Sequence, residues 1–139
     1  MEKRGLRLKV NGAVREVAAL PHAILLDVLR EDMNLVGSKR GCDMGTCGCC
    51  AVQIDGKPVL SCLTLAFQVE GRDITTIEGL AAPDGTLHPL QKAFAECGGS
   101  QCGFCTPGFV MTGAAWLKDH PTFTEPELRE AVSGNLCRC

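Results

Sequence analysis

Apolar and polar residues alternate at the start of the chain, with Leu6, Leu8 and Val10 set between Arg7 and Lys9. This is the period-2 pattern of a strand with one buried face. Asn11-Gly12 follows, a dipeptide suited to a tight hairpin because both residues accept positive φ, and Val14 to Val17 returns as a second strand. From Ala23 to Met33 the period changes. Ile24, Leu25, Val28 and Leu29 fall on one helical face, so a helix ending near Asn34 is predicted to pack across the sheet. Ala51 to Ile54, the turn Asp55-Gly56 and Val59-Leu60 predict a second hairpin, and Ile74 to Ile77 a further short strand.

Near Gly79 the strand pattern disappears. Ala81 to Thr86 carries Pro83 and Gly85 without periodicity and reads as a linker. Three short helices are predicted beyond it. Pro89 to Ala95 has Leu90 and Phe94 four apart. Pro107 to Lys118 has Pro in its first turn and Val110, Ala114 and Leu117 on one face. Thr124-Glu125-Pro126-Glu127 is a capping box that opens the third, through Leu128 and Val132 to Gly134. The division expected is residues 1–78, a linker over 79–87, and a helical half over 88–139.

Composition changes this picture through one residue type. Ten of the 139 residues are cysteine. Fourteen Lys and Arg against sixteen Asp and Glu leave the charge nearly balanced, so no nucleic acid or other polyanion is implied as partner. No apolar run is long enough for a membrane span. The opening Met-Glu-Lys-Arg-Gly lacks the apolar stretch of a signal peptide. A cytoplasmic location is expected, where a reducing medium keeps thiols available to metal.

Cys42, Cys47, Cys50 and Cys62 are spaced C-x4-C-x2-C…C, as in the loop that wraps a plant-type [2Fe–2S] cluster. Iron of that kind takes soft thiolates. Gly41, Gly45 and Gly48 let a short loop curl with positive φ and turn its N–H groups toward an anionic group, and a side chain at Gly48 is expected to press on the cluster or force the loop open. Zinc favours paired short hooks, and disulfides need an oxidising compartment, so the spacing favours iron–sulfur. With a sheet, a crossing helix and a cysteine loop on one edge, the first half is expected to be a β-grasp ferredoxin-like domain, and the whole chain α+β.

Cys102 and Cys105 precede the second helix of the other half, and Cys137 and Cys139 end the chain. A C-x2-C hook with a C-x-C hook suits zinc as well as a cluster, and C-x2-C alone suits a redox dithiol. A second metal site is favoured, because no βαβ pattern surrounds the pair. The helix N-terminus is expected to lower the Cys102 and Cys105 thiol pKa values.

Three stretches together, Gly41-Cys42 through Cys50, Gln101-Cys102-Gly103-Phe104-Cys105-Thr106-Pro107-Gly108 and Gly134-Asn135-Leu136-Cys137-Arg138-Cys139, resemble the small iron–sulfur subunit of the molybdenum hydroxylases. That group includes xanthine dehydrogenase, aldehyde oxidoreductase, carbon monoxide dehydrogenase and 4-hydroxybenzoyl-CoA reductase. The resemblance covers essentially the whole chain. It implies a plant-type ferredoxin-like domain followed by a helical-bundle domain, with one [2Fe–2S] cluster in each. Cys102, Cys105, Cys137 and Cys139 match the ligands of the cluster nearer molybdenum, and Gln101 and Cys139 match positions that approach the molybdopterin cofactor. The ferredoxin-domain cluster is then the one nearer a flavin. Molybdopterin and FAD are expected on partner subunits, a large molybdenum-cofactor subunit and a flavin subunit, in a heterotrimer. The function implied is relay of single electrons, with substrate chemistry on another chain. A free-standing two-cluster carrier is the alternative, which the balanced charge disfavours.

Three departures from the family pattern stand out. Cys49 occupies a position where Ala or Ser is usual, and Cys97 is a second spare thiol. Both are expected to be inert, buried and not ligands. The sequence given ends at Cys139, where family members continue into a helix, which predicts a more exposed second site. Elsewhere His22, His88 and His120 each neighbour a proline and are expected in solvated loops, and Trp116 in the core. No G-x-G-x-x-G or P-loop spacing and no nucleophile–base set is present.

Overall fold

The computed structural model describes residues 1–139. Strands β1 (Arg4–Val10) and β2 (Ala13–Ala19) form the predicted hairpin, with Asn11 and Gly12 at φ +52° and +79°. Strands β3 (Ala51–Ile54) and β4 (Lys57–Leu60) form the second, turning through Asp55 and Gly56 at φ +51° and +79°. The short β5 (Asp73–Thr75) lies between the hairpins, parallel to β1 and antiparallel to β3, giving the order β2-β1-β5-β3-β4. Leu6, Leu8 and Val10 face inward and are fully buried. Arg7 and Lys9 face solvent, paired with Glu16 and Asp73 at 2.9 Å each, contacts worth at most about 1 kcal/mol when this exposed.

Two predicted boundaries move. Helix α1 begins at Leu25 rather than Ala23, running over Leu25–Asp27 and on through a π-helical turn, Val28–Asp32. Ile24 is extended because it bridges to Leu65. The strand expected at Ile74 to Ile77 ends at Thr75, because Thr76 turns out of the ladder to bond Asn11. The Thr76 N–H donates to Asn11 Oδ1, and Asn11 Nδ2 donates to Thr76 Oγ1, both at 2.9 Å. Leu25, Val28 and Leu29 pack over the sheet in a 14-residue apolar core that runs from Leu6 to Ile74 and takes nothing from the helical half. Truncating one such buried leucine to alanine costs about 2–5 kcal/mol.

Helices α2 (Pro89–Glu96), α3 (Thr106–Asp119) and α4 (Glu125–Ala131) follow. Only α3 buries side chains, among them Val110, Met111, Ala114 and Ala115; α2 and α4 bury none. Helix α3 lies against β3, where buried Gln53 donates from Nε2 to the Met111 carbonyl at 3.1 Å. Three expectations fail here, for Cys97, His88 and Trp116, while His120 is exposed in a loop as expected. Cys97 is exposed at the end of α2, since that helix has no buried face to receive it. His88 caps α2, its Nδ1 accepting from the Leu90 N–H at 3.1 Å. His120 is exposed and stacks on Trp116 at 4.2 Å between ring centroids. Trp116 is half-buried, with Phe123 edge-on at 5.6 Å, because it lies at the surface end of α3 and not on the face that meets β3.

Candidate metal centre

The loop from Gly41 to Cys50 leaves α1 and enters β3. Arg40 ties it to the helix by pairing with Asp27, and to its own start by pairing with Asp43 at 2.6 Å. Gly45 and Gly48 hold φ values of +72° and +74°, the left-handed region expected of them. Gly41 does not. It is needed for space, since an added Cβ would lie 3.0 Å from the Cys47 sulfur and 3.1 Å from that of Cys49. Gly48 also differs from expectation. A Cβ there would meet Asn135 and the Gly134 carbonyl, 2.8 Å away, so the pressure would fall on the helical half.

The curl turns N–H groups onto the Cys42 sulfur. The Met44 backbone N–H, then Thr46 and Cys47, bring its thiol down to about 6, with Thr46 N at 3.4 Å. These contacts favour the thiolate that iron requires. Cys62 arrives from a 3-10 turn after β4, Ser61–Leu63. Burial pushes its thiol up to about 11, followed by a hydrogen bond with Cys50 and the neighbouring Cys50, Cys42 and Cys47 sulfurs. Cys42, Cys47, Cys50 and Cys62 are therefore one set of neighbours. Ser61 holds the base of the site, its Oγ donating to the Cys50 carbonyl at 2.7 Å.

Cys105 forms the N-cap of α3. Its thiol is raised, first by burial and then by a hydrogen bond with Cys137, with Cys102 close by. The expected lowering by the helix is outweighed, because the side chain turns into a cavity of about 440 Å³ that Cys102 and Cys137 also line. Cys47, Cys49 and Gly41 line it as well. Cys139 and Gln101 do not line this cavity, and both are exposed. All ten cysteines are unpaired. No three ligand side chains converge as they would around a single ion; the thiols stand in two groups, and a two-iron cluster takes its four cysteines as two pairs. The thiolate-favouring nest at Cys42 and the dense grouping of sulfurs fit such clusters.

The two sets meet across a seam that sequence reasoning missed. The Leu136 N–H, beside Cys137, donates to the carbonyl of Cys47 at 2.9 Å. Asn135 Nδ2 donates to the Gly48 carbonyl at 3.1 Å and is buried. Gly108 of α3 rests on the Gly48–Cys49 backbone, where an added Cβ would strike the Gly48 carbonyl oxygen and lie 2.9 Å from Cys49 Cα. The one signal for this seam was Gly108, a glycine in the first turn of a helix.

A mixed sheet with a helix across it, four helices in all and cysteine-rich loops brought together define a [2Fe–2S] ferredoxin-like protein of α+β class. Comparisons with known proteins narrow this. A family profile described as "2Fe-2S iron-sulfur cluster binding domain" matches residues 16–95, and one described as "[2Fe-2S] binding domain" matches 76–139. The aldehyde oxidoreductase iron-sulfur-binding subunit PaoA of Escherichia coli (strain K12) is 44% identical over 96% of the chain, which spans 65% of that subunit's length, just under two thirds. The nicotine 6-hydroxylase small subunit of Paenarthrobacter nicotinovorans is 50% identical over 95% of this chain and 79% of its own. The crystal structure of quinoline 2-oxidoreductase from Pseudomonas putida 86 superposes with a TM-score of 0.94 at 43% identity, covering 100% of this chain and 85% of that one. The chain belongs to the small iron–sulfur subunits of the molybdenum hydroxylases.

Proposed function

We propose that this chain holds two one-electron sites in a fixed mutual position, relaying electrons between a molybdenum site on a large partner subunit and a flavin or external acceptor. When bound, each [2Fe–2S] cluster supplies a one-electron couple. Cys42, Cys47, Cys50 and Cys62 would hold the first. Cys102, Cys105, Cys137 and Cys139 would hold the second, with Cys139 and Gln101 on the side that faces the pterin. The observation that carries this reading is the bond from the Leu136 N–H to the Cys47 carbonyl, which joins a residue of one set to the immediate neighbour of the other.

The finer architecture belongs to the same proposal: a β-grasp domain over 1–78, a connection over 79–87, and a helical cluster-binding bundle over 88–139. The confinement of the 14-residue core to the first half supports that division. Met44 and Leu63, next to the first cysteine set, are 72% and 65% exposed, and Phe104 and Leu136, next to the second, 44% and 55%. Apolar side chains ringing both sites suit permanent burial under partner chains. No helix is long and apolar enough to cross a membrane, and a cytoplasmic location fits chemistry that needs reduced thiols.

Iron and acid-labile sulfide analysis of the native complex tests the proposal, together with electron paramagnetic resonance of its reduced form. Two clusters per chain and co-purification of a molybdenum-containing subunit are expected. Iron for one cluster only, or a native protein with no other subunit, would overturn it.

A further inference from the structure

Cys49 belongs to neither four-cysteine set and stands between them. We propose that Cys49 is a positioning residue for the helical-half cluster, an S–H donor lent by the sheet half that makes that cluster easier to reduce. This rests on Cys102, Cys105, Cys137 and Cys139 being that cluster's ligands.

The residue is only 5% exposed and is clamped on every side. Its N–H donates to the Cys47 sulfur at 3.4 Å. Its carbonyl accepts from the Lys39 N–H at 3.0 Å. Gly108 presses on its Cα, and Gly41 leaves room for its sulfur. The residue lines the same cavity as Cys102, Cys105 and Cys137. Within the chain its S–H has two weak partners, the Cys47 carbonyl at 4.0 Å, a long contact even for sulfur, and the Cys47 thiol, while the Cys105 sulfur is also a near neighbour. A thiol is a weak donor, and such bonds leave its proton free to turn toward a stronger acceptor. A cluster that gains an electron becomes more negative by one charge. Donors to its sulfurs stabilise that state and raise the potential, the more so where water is excluded.

The balance is simple. The reductant supplies the electron, the cluster takes it, and the proton stays on Cys49. A hydrogen bond to a charged group is worth about tenfold in such an equilibrium, which for a one-electron couple is about 59 mV. An inert thiol, present only as a small apolar filler, would shift neither potential.

The test is a dithionite titration of the native complex followed by electron paramagnetic resonance, with the two signals assigned through Cys62→Ser and Cys137→Ser. Iron content is measured first. A wild-type complex with iron for one cluster only defeats the ligand assignment, and this proposal with it, before any potential is read. With two clusters present, Cys49→Ala is expected to move the helical-half midpoint about 59 mV negative and leave the sheet-half midpoint in place. Cys49→Ser, which offers a stronger O–H donor, is expected to raise the helical-half value. Unmoved potentials in Cys49→Ala, or a shift confined to the sheet-half cluster, would overturn the proposal. Should Cys49→Ala fail to assemble, Cys49→Ser decides alone: a positive shift supports the donor role, and no shift or a negative one refutes it.

Discussion

The two halves of this chain hold their cysteines by different means. The sheet half has its own core, 14 buried apolar residues from Leu6 to Ile74, and its loop places Cys47 and Cys50 at 9% and 2% exposure. The helical half has three helices, two of which bury nothing. Its third helix is buried mainly against the other half's β3 and cysteine loop. Cys102, Cys137 and Cys139 are exposed. The same task, gathering four thiolates, is done in one half by a prebuilt scaffold. In the other it depends on docking and on the metal itself. Small units without a sufficient core commonly draw folding free energy from bound metal.

Removing iron should therefore split the chain's behaviour, and this is the largest effect expected. After chelation under reducing conditions, amides of β1, β3 and β5 are expected to keep their protection from hydrogen exchange. Those of α2, α4 and the Cys137–Cys139 tail should exchange at least about tenfold faster, as expected for units that open locally. Helix α3 should lie between, held by Val110, Met111 and the Gln53 bond. Mass spectrometry of peptides from each element reads this directly. Uniform loss across the chain would show that the sheet half also depends on its cluster, and the contrast would fail.

The next effect sharpens the docking part of the contrast. Gly108→Ala puts a methyl group against backbone that cannot swing away, the Gly48 carbonyl and Cys49 Cα. Overpacking of this kind costs about 1–3 kcal/mol. The helical-half transition should move to lower denaturant while the sheet-half transition stays. Gly5→Ala is the control, because a Cβ there meets nothing within 4 Å, and its effect should stay within about 0.5 kcal/mol. Equal effects from both substitutions would mean that the seam does not hold the helical half in place.

What could be read in advance follows the same divide. Both hairpins were legible because Asn11-Gly12 and Asp55-Gly56 carry their turn geometry locally. The three helix starts were legible because Pro89, Pro107 and the Thr124–Glu127 box signal them in adjacent residues. The cysteine spacing suggested the chemistry for similar reasons. The seam was not legible. It is made by the carbonyls of Cys47 and Gly48, and a sequence does not display which backbone groups remain free for a distant partner. The same gap misplaced Cys97 and Trp116, whose burial depends on which helix faces find a neighbour. Gly48 was singled out for contact with a cluster, when its neighbours are Asn135 and Gly134.

The smallest effect concerns α4, which has no buried residue and so leans on its own N-terminus. The N–H and hydroxyl of Thr124 both donate to one carboxylate oxygen of Glu127, at 2.7 Å each. The Thr124 N–H first, then the hydroxyl, hold this carboxyl below the ordinary value of 4.5. A carboxyl whose pKa is lower folded than unfolded stabilises the fold above the unfolded value, and the contribution is lost as pH falls through the folded one. Helix α4 should therefore lose protection in acid, starting near pH 4.5. Glu127→Gln keeps an acceptor but has no charge to lose, so its α4 should be weaker than wild type at neutral pH, with the gap closing in acid. Comparing the two proteins at each pH cancels acid effects elsewhere, including any on the clusters. A gap that stays constant across that range would mean that the Glu127 charge does nothing for α4. The helix would then rest on its uncharged cap and its contact with α3, and the helical half would depend on docking more than the charged cap suggests.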